Sequence, residues 1–231
     1  PADPSGEEKM SKLGIVHVAS EMAPLVKVGG LGDMVAALAG EQAKRGHRVI
    51  VALPGYSTLA VPPDAERTVV ARCRVPWGMI TEPARIDLIR LPAPGIDGDG
   101  DSAGSLHVLT VHHEGSRHFF DRPGVYDDPR TGEGYPDNAE RFLFFCRAAI
   151  EGLTKLGEGF DIVHAHDHQA AWVPCFLRTH EAYELPFEGT ASVFTIHNLG
   201  YQGIYEPFVL ALAGFGKEVF YATGPFEFFG R

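Results

Sequence analysis

The sequence predicts an open α/β fold on a parallel sheet, and three features carry that prediction. Leu13–Ser20, "LGIVHVAS", is an unbroken apolar run of strand length. "LGDMVAALAGEQAKR" then repeats Leu31, Met34, Val35 and Leu38 at helical spacing, and Arg48–Pro54, "RVIVALP", is a second buried strand. Strand, helix and strand in this order make a β-α-β unit, which implies a parallel pair with a right-handed crossover. The same alternation returns near the other end, so the sheet is predicted to be open rather than closed.

The remaining elements follow in order. Gly46 ends the first helix in the usual C-terminal manner. "RTVVARCRV", "ARIDLIRL" and "SLHVLTVHH" read as shorter strands, and "PAPGIDGDGDSAG", between the last two, reads as a loop by composition. A helix is expected from about Asp137 to Leu156, then "DIVHAH" as a strand, "QAAWVPCFLRTH" as a helix and "ASVFTIH" as another strand. No internal repeat or domain boundary is visible within residues 13–231. Residues 1–12, "PADPSGEEKMSK", lack the apolar stretch of a signal peptide and read as a disordered or extraneous tail.

Composition narrows the partners. The chain has 231 residues, enough to bury a real core, with 45% hydrophobic and 22% charged side chains. Thirty acidic against 20 basic residues give a net charge of −10, which argues against a nucleic-acid partner because no basic stripe is left to neutralise phosphates. Cys73, Cys146 and Cys175 are few, odd in number and widely spaced, which suggests a reducing compartment rather than a disulfide framework. No segment approaches the roughly 18 apolar residues of a membrane span.

Three strand ends hold the candidate chemistry, and in open α/β sheets ligands bind at the carboxyl ends of strands. The first is "VKVGGLGDM", Val26–Met34. Gly29, Gly30 and Gly32 let backbone approach a ligand, the following helix presents unpaired N–H groups, and Lys27 adds a full charge, so the turn is suited to a phosphate or diphosphate. The lysine precedes the glycines, so this is not a Walker A loop, and the glycine spacing does not fit G-x-G-x-x-G. A plain tight turn with Lys27 in solvent explains the same residues. Asp33 lies in the first helical turn, where an acid is favourable by roughly 0.3–1 kcal/mol; beside a phosphate it would repel, so a ligand role for it is to accept from sugar hydroxyls.

The second strand end is "DIVHAHDHQAAW". His164 and His166 share one face of the strand, with Asp167 and His168 at its end. Zinc hydrolases use such H-x-H pairs, so a metal-dependent hydrolase built on His164, His166 and Asp167 is a competing reading; the bland one is that His164 is a hydrogen-bonded core histidine and only Asp167 and His168 reach a cleft. The third is "FTIHNLGYQG", where His197 and Asn198 precede Gly200, Tyr201, Gln202 and Gly203, polar groups beside an aromatic ring as a sugar site needs. Asp97–Ser102, "DGDGDS", fails the EF-hand pattern, with Ser102 at the glycine position and Val108 at the glutamate position, and reads as a solvated acidic loop.

Taken together, "SEMAPLVKVGGLGDMVAALAGEQAKRGHRVIVALPGY", "DIVHAHDHQAAWVPCFL" and "FTIHNLGYQGIY" resemble the bacterial glycogen synthase and plant starch synthase family, in the family's order and over almost all of residues 13–231. The resemblance implies the Rossmann-like N-terminal catalytic lobe of a two-lobed, retaining GT-B glucosyltransferase that moves glucose from ADP-glucose to the non-reducing end of an α-1,4-glucan. It implies that Lys27 and the Gly29–Gly30 turn face the donor diphosphate and that Asp33 and Asp167 contact sugar hydroxyls. His197 would lie next to the anomeric carbon with Asn198 beside it. "DRPGVYDD" resembles a family loop whose aromatic, here Tyr126, lines the glucose site. The family usually has tryptophan where this chain has His168. "GPFEFFGR" looks like the family's segment just before its later N-lobe strands and then the second lobe, so the second lobe is expected to be absent here and the chain by itself inactive. Neither a metal nor an organic cofactor, and neither nucleic acid nor membrane, is expected; the setting implied is bacterial cytoplasm or a plastid stroma. A non-catalytic glucan-binding module is the third reading.

Overall fold

The computed structural model describes residues 12–91, 104–180 and 187–230. Most of the N-terminal tail and the "DGDGDS" loop lie outside them. Seven strands form one sheet: β1 (Gly14–Val18), β2 (Arg48–Pro54), β3 (Arg67–Trp77), β4 (Ile80–Arg90), β5 (Ser105–His113), β6 (Ile162–His166) and β7 (Ala191–Thr195). Their spatial order is β3-β4-β5-β2-β1-β6-β7. The expected β-α-β unit is present, with β1 and β2 parallel through α1 (Gly30–Lys44). The five strands β5, β2, β1, β6 and β7 are parallel throughout.

The middle strands, whose direction the sequence left open, pair antiparallel. β3 and β4 run 11 residues each and form an antiparallel hairpin, and β4 pairs antiparallel with β5. The two-residue turn Gly78–Met79 closes the hairpin, and Gly78 at φ 56° supplies the left-handed backbone that tight hairpins require. The predicted helix over residues 169–180 is two helices, α3 (Asp167–Ala170) and α4 (Trp172–Thr179). Pro174 explains the break: it has no N–H to return to the carbonyl of Ala170, so a helix begun at Asp167 cannot run through, whereas proline is tolerated in the first turn of a new one.

Between β5 and β6 runs α2 (Asn138–Leu156), which ends at Gly157 in the left-handed conformation, φ 69°. A short α5 (Phe208–Leu212) follows β7. Among the described residues no helix is long and apolar enough to cross a membrane. β1 is buried along its whole length, as a strand flanked on both edges must be. β7 is different. It stands last in the sheet order, and Val193 and Phe194 are 40% and 42% exposed.

From β1 the chain crosses to β2 on one side, whereas β6 lies on the other side of β1. The carboxyl ends of β1 and β6 therefore flank the reversal of strand order where ligands bind in such sheets. α2 reaches the sheet closely through Gly152, where an added Cβ would meet Ile86 Cγ2 at 2.7 Å and Ile86 Cδ1 at 3.1 Å. Two effects compete in Gly152→Ala: helix propensity gains about 1 kcal/mol, and overpacking costs about 1–3 kcal/mol. The contact is close enough for overpacking to win. Gly152→Ala is expected to lower the melting temperature by a few degrees, and a rise in thermal or urea scans would show that the helix has room to shift.

Candidate active site

The segment after β1 does not leave its N–H groups open, as the sequence suggests, but closes them on a carboxylate. Glu21 is 3% exposed, and its Oε2 accepts the N–H groups of Val28 and Gly29 at 2.6 and 2.9 Å. Gly29 caps α1 with no side-chain hydrogen bond, so Glu21 supplies the negative charge that a helix N-terminus favours. The Tyr126 hydroxyl donates to Glu21 Oε1 at 2.6 Å and lies 2.6 Å from Ser20 Oγ. Burial, with Tyr56 and Glu21 nearby, pushes the Tyr126 phenol far above its usual range, which keeps it a donor. The loop bearing Tyr126 is fixed from α2: Asn138 Nδ2 donates to the Tyr126 carbonyl at 2.8 Å, and the buried Arg141 donates to the carbonyls of Phe119 at 2.6 Å and Val125 at 3.1 Å and to Asn138 Oδ1 at 2.6 Å.

The predicted turn residues separate. Gly29 and Gly30 line a cavity of about 760 Å³ at the strand ends, and so do Tyr126, Asp167, His197 and Asn198. Lys27, Gly32 and Asp33 are not among its lining residues. Lys27 Nζ and Asp33 Oδ2 pair at 2.7 Å with both side chains about half exposed. Gly32 is buried, and an added Cβ would stand 3.3 Å from the Val26 carbonyl and 3.4 Å from Glu21 Oε2, so its role here is close packing.

Asp167 and His197 are brought together by backbone geometry. Asp167 has φ 58°, a left-handed conformation uncommon outside glycine that acidic and amide residues tolerate best. Its Oδ1 accepts the backbone N–H groups of His197 at 2.6 Å and Asn198 at 3.4 Å, tying the end of β6 to the end of β7. Asn198 Oδ1 in turn accepts the Gly200 N–H at 2.8 Å. His168, also lining the cavity, holds the next segment: Nδ1–H donates to the Tyr201 carbonyl at 3.0 Å, leaving Nε2 to accept the Tyr205 hydroxyl at 3.3 Å. Gly203, at φ 67°, passes so near that an added Cβ would meet His168 Cβ at 2.8 Å.

His164 is hydrogen-bonded as expected, Nε2 to Thr195 Oγ1 at 2.7 Å. The ligand atoms of His17, His164 and His166 lie within 4.8 Å of one another, a metal-like spacing that adds a histidine from β1 to the predicted pair. Both nitrogens of His17 and of His166, and Nε2 of His164, are already used, however. His166 is fully buried and spends both, Nε2 on His17 Nδ1 and Nδ1 on His197 Nε2, each at 3.0 Å. Asp167 Oδ1 is engaged with backbone N–H groups. This arrangement does not support the hydrolase reading.

Sequence reasoning missed Glu21, Asn138, Tyr205 and His17. Glu21 carried one signal, a lone acid inside the apolar "HVASEMAPLV". The cavity is lined by the carboxylates Glu21, Asp127 and Asp167 and by no lysine or arginine among the described residues. Carboxylates, amides, tyrosines and two histidines around an open cavity match the hydroxyls of a sugar, and leave the charge of a phosphate without a cation on this wall.

A family model described as the starch synthase catalytic domain matches residues 14–231. Glycogen synthase 2 of Geobacter metallireducens is 36% identical over 217 residues, 94% of this chain and 41% of its own length. The glycogen synthase of Opitutus terrae is 37% identical over 208 residues, 89% of this chain and 40% of its own. Among solved structures, the catalytic domain of Starch Synthase IV from Arabidopsis thaliana, bound to ADP and acarbose, superposes with a TM-score of 0.75 at 30% identity, over 90% of this chain and 38% of that one. The chain thus spans about two fifths of the length of the curated relatives it matches.

The histidine cluster has a consequence for stability. Burial first, then neighbouring imidazoles, lower His164 to about 4 and His166 to about 2, and burial lowers His17. An unfolded chain takes up these protons near pH 6.5, where the folded chain does not, so stability falls as pH drops below 6.5 and stops falling for each histidine only at its folded value. Each contributes at most about 1.4 kcal/mol per pH unit. His107, His112, His113, His168 and His180 are depressed too and act in the same direction. The urea midpoint is expected to be lower at pH 5 than at pH 7, with a smaller difference in His164→Gln; equal differences in the two chains would show that His164 does not contribute.

Proposed function

This chain belongs to the starch synthase catalytic domain family, and we propose that it forms the N-terminal lobe of a glycogen synthase that, in its whole form, transfers glucose with retention from ADP-glucose to the non-reducing end of an α-1,4-glucan. The sheet is the Rossmann-like α/β lobe of the GT-B architecture. The observation that carries the proposal is the cavity at the reversal of strand order, where Asp167 fixes the backbone of His197 and Asn198 opposite the Gly29–Gly30 turn.

In this reading His197, Asn198 and Asp167 surround the glucosyl unit, and the turn faces the leaving diphosphate. Val28 and Gly29 N–H groups are engaged by Glu21, so the donors offered to the diphosphate are those of Gly30 and Leu31, which line the cavity at the start of α1. Lys27 is held by Asp33, but an exposed ion pair is worth about 0–1 kcal/mol, whereas a charge-assisted hydrogen bond to an incoming phosphate contributes about 1.5–3 kcal/mol. The lysine therefore exchanges Asp33 for the diphosphate, and Asp33 becomes available to hydroxyls. Charge grows on the diphosphate as the glycosidic bond breaks, and fixed donors aimed at it lower the barrier. Tyr126 shapes the wall by donating its hydroxyl proton to Glu21, so that proton is not offered to a sugar.

The acidic wall sets a limit. Lys27 is one cation against a diphosphate, so the further neutralising cations must come from residues beyond those described, in keeping with a cleft completed by a second lobe. The bacterial relatives suggest a cytoplasmic setting. For the chain alone, ADP-glucose affinity is expected to be about millimolar, worth about 4 kcal/mol, with labelled glucose incorporation into glycogen at background. Fusion to the remaining length of a relative is expected to restore synthesis; robust turnover by the chain alone, with contamination excluded, would overturn the proposal. In that fusion, His197→Ala is expected to lower the rate by about 100-fold or more with little change in melting temperature. Lost folding with retained specific activity would instead make His197 a structural residue.

A further inference from the structure

Behind His197 stands a line of hydrogen-bonded side chains that the reaction described above does not use. His17 Nε2 lies 2.7 Å from Gln42 Oε1 on α1; His17 Nδ1 lies 3.0 Å from His166 Nε2; His166 Nδ1 lies 3.0 Å from His197 Nε2. His17 and His166 are fully buried and Gln42 is partly so. The rings of His17 and His166 stack with centroids 5.2 Å apart, and those of His166 and His197 with centroids 5.3 Å apart. His164 lies beside the line, its ring centroid 4.0 Å from that of His166, and is bonded away from it to Thr195. Sequence alone gave no hint of the line, because its members sit on two strands, a helix and the segment after β7.

Three neutral imidazoles joined by two hydrogen bonds have only two self-consistent proton arrangements. In one, every ring carries its proton on Nε2; in the other, every ring carries it on Nδ1. The second places the lone pair of His17 Nε2 against the oxygen that Gln42 presents to it, two acceptors face to face in a buried site, and therefore requires the amide to turn over. The first gives that oxygen a proton to accept. We propose that Gln42, acting through His17 and His166, fixes His197 as the Nε2–H tautomer and so leaves Nδ1 as the acceptor nitrogen that a ligand in the cavity meets. The proposal rests on the glucosyl-site reading of the cavity for its consequence: His197 takes a hydrogen bond from a sugar hydroxyl and does not donate a proton to the diphosphate. Gln42, His17 and His166 are positioning residues, since none but His197 lines the cavity. Burial keeps the inner rings neutral: His17 and His166 are both lowered from the ordinary imidazole range, as the two-arrangement argument requires.

The test is the tautomer itself, read by nitrogen NMR on the chain with ¹⁵N-labelled histidine and no ligand present. Wild type is expected to show His197 protonated on Nε2. Gln42→Lys replaces the acceptor with a donor, so the line is expected to reverse and His197 to carry its proton on Nδ1. Gln42→Met, which offers no strong partner, is expected to give a mixture. Both variants keep a long flexible side chain at a partly exposed helix position, and amide spectra check that the fold is unchanged. A wild-type Nδ1–H tautomer, or one tautomer common to all three chains, would overturn the proposal. Because no sugar is involved, that outcome leaves the glucosyl-site reading to be judged by glucose incorporation in the longer fusion, where Gln42→Lys is expected to raise KM for the donor with kcat less affected.

Discussion

One buried carboxylate organises the cavity. Glu21 is nearly sealed from water, and a charge in that position survives only if its lone pairs are filled. Val28, Gly29 and Tyr126 fill them. The turn before α1 must therefore curl over the acid, which brings Gly30 to the cavity and leaves Lys27 outside. The loop that delivers Tyr126 must in turn be held, and Asn138 and Arg141 on α2 hold it. A site at the end of β1 thus depends on a helix more than 100 residues later in the chain, through a Glu21–Tyr126 contact spanning 105 positions. Losing any one member strands the others without partners, which costs more than the net worth of the bond removed.

The three strand ends divide the labour by chemistry. After β1 the backbone supplies donors. After β6, Asp167 acts on the backbone of the next strand end. After β7, His197 and Asn198 present side chains to the cavity. His168 fits this scheme, because both ring nitrogens tie down the Tyr201–Tyr205 segment with directional bonds. Its left-handed φ makes Asp167 the strained member, and the two N–H groups it accepts are what hold it there.

Much of this was legible in sequence wherever the signal was local. Apolar runs located β1, β2, β6 and β7 to within a residue or two, and helical spacing located α1 and α2. The hairpin direction of β3 and β4 was not legible, since strand pairing is a long-range choice. The helix break before Trp172 was, in hindsight, written in Pro174. At the site, His197, Asn198 and Asp167 stood out because polar residues ending apolar strands have few structural reasons to be there. Glu21 and His17 did not, because an acid or imidazole inside an apolar run is explained only by partners that sequence distance hides: Tyr126 for one, His166 and Gln42 for the other.

The exposed flank of β7 bears on how the chain behaves at high concentration. Among the described residues its outer side carries no neighbouring strand, and Val193, Phe194 and Ile196 stand in solvent at 40%, 42% and 57%. A parallel sheet is ordinarily covered on both faces, and a bare edge with apolar flanks is a template for whatever extended chain arrives first. The colloidal lifetime of the isolated chain is thus governed by second-order encounters between molecules, while its folding is first-order. Dilution preserves it, and a short peptide that caps the edge protects it.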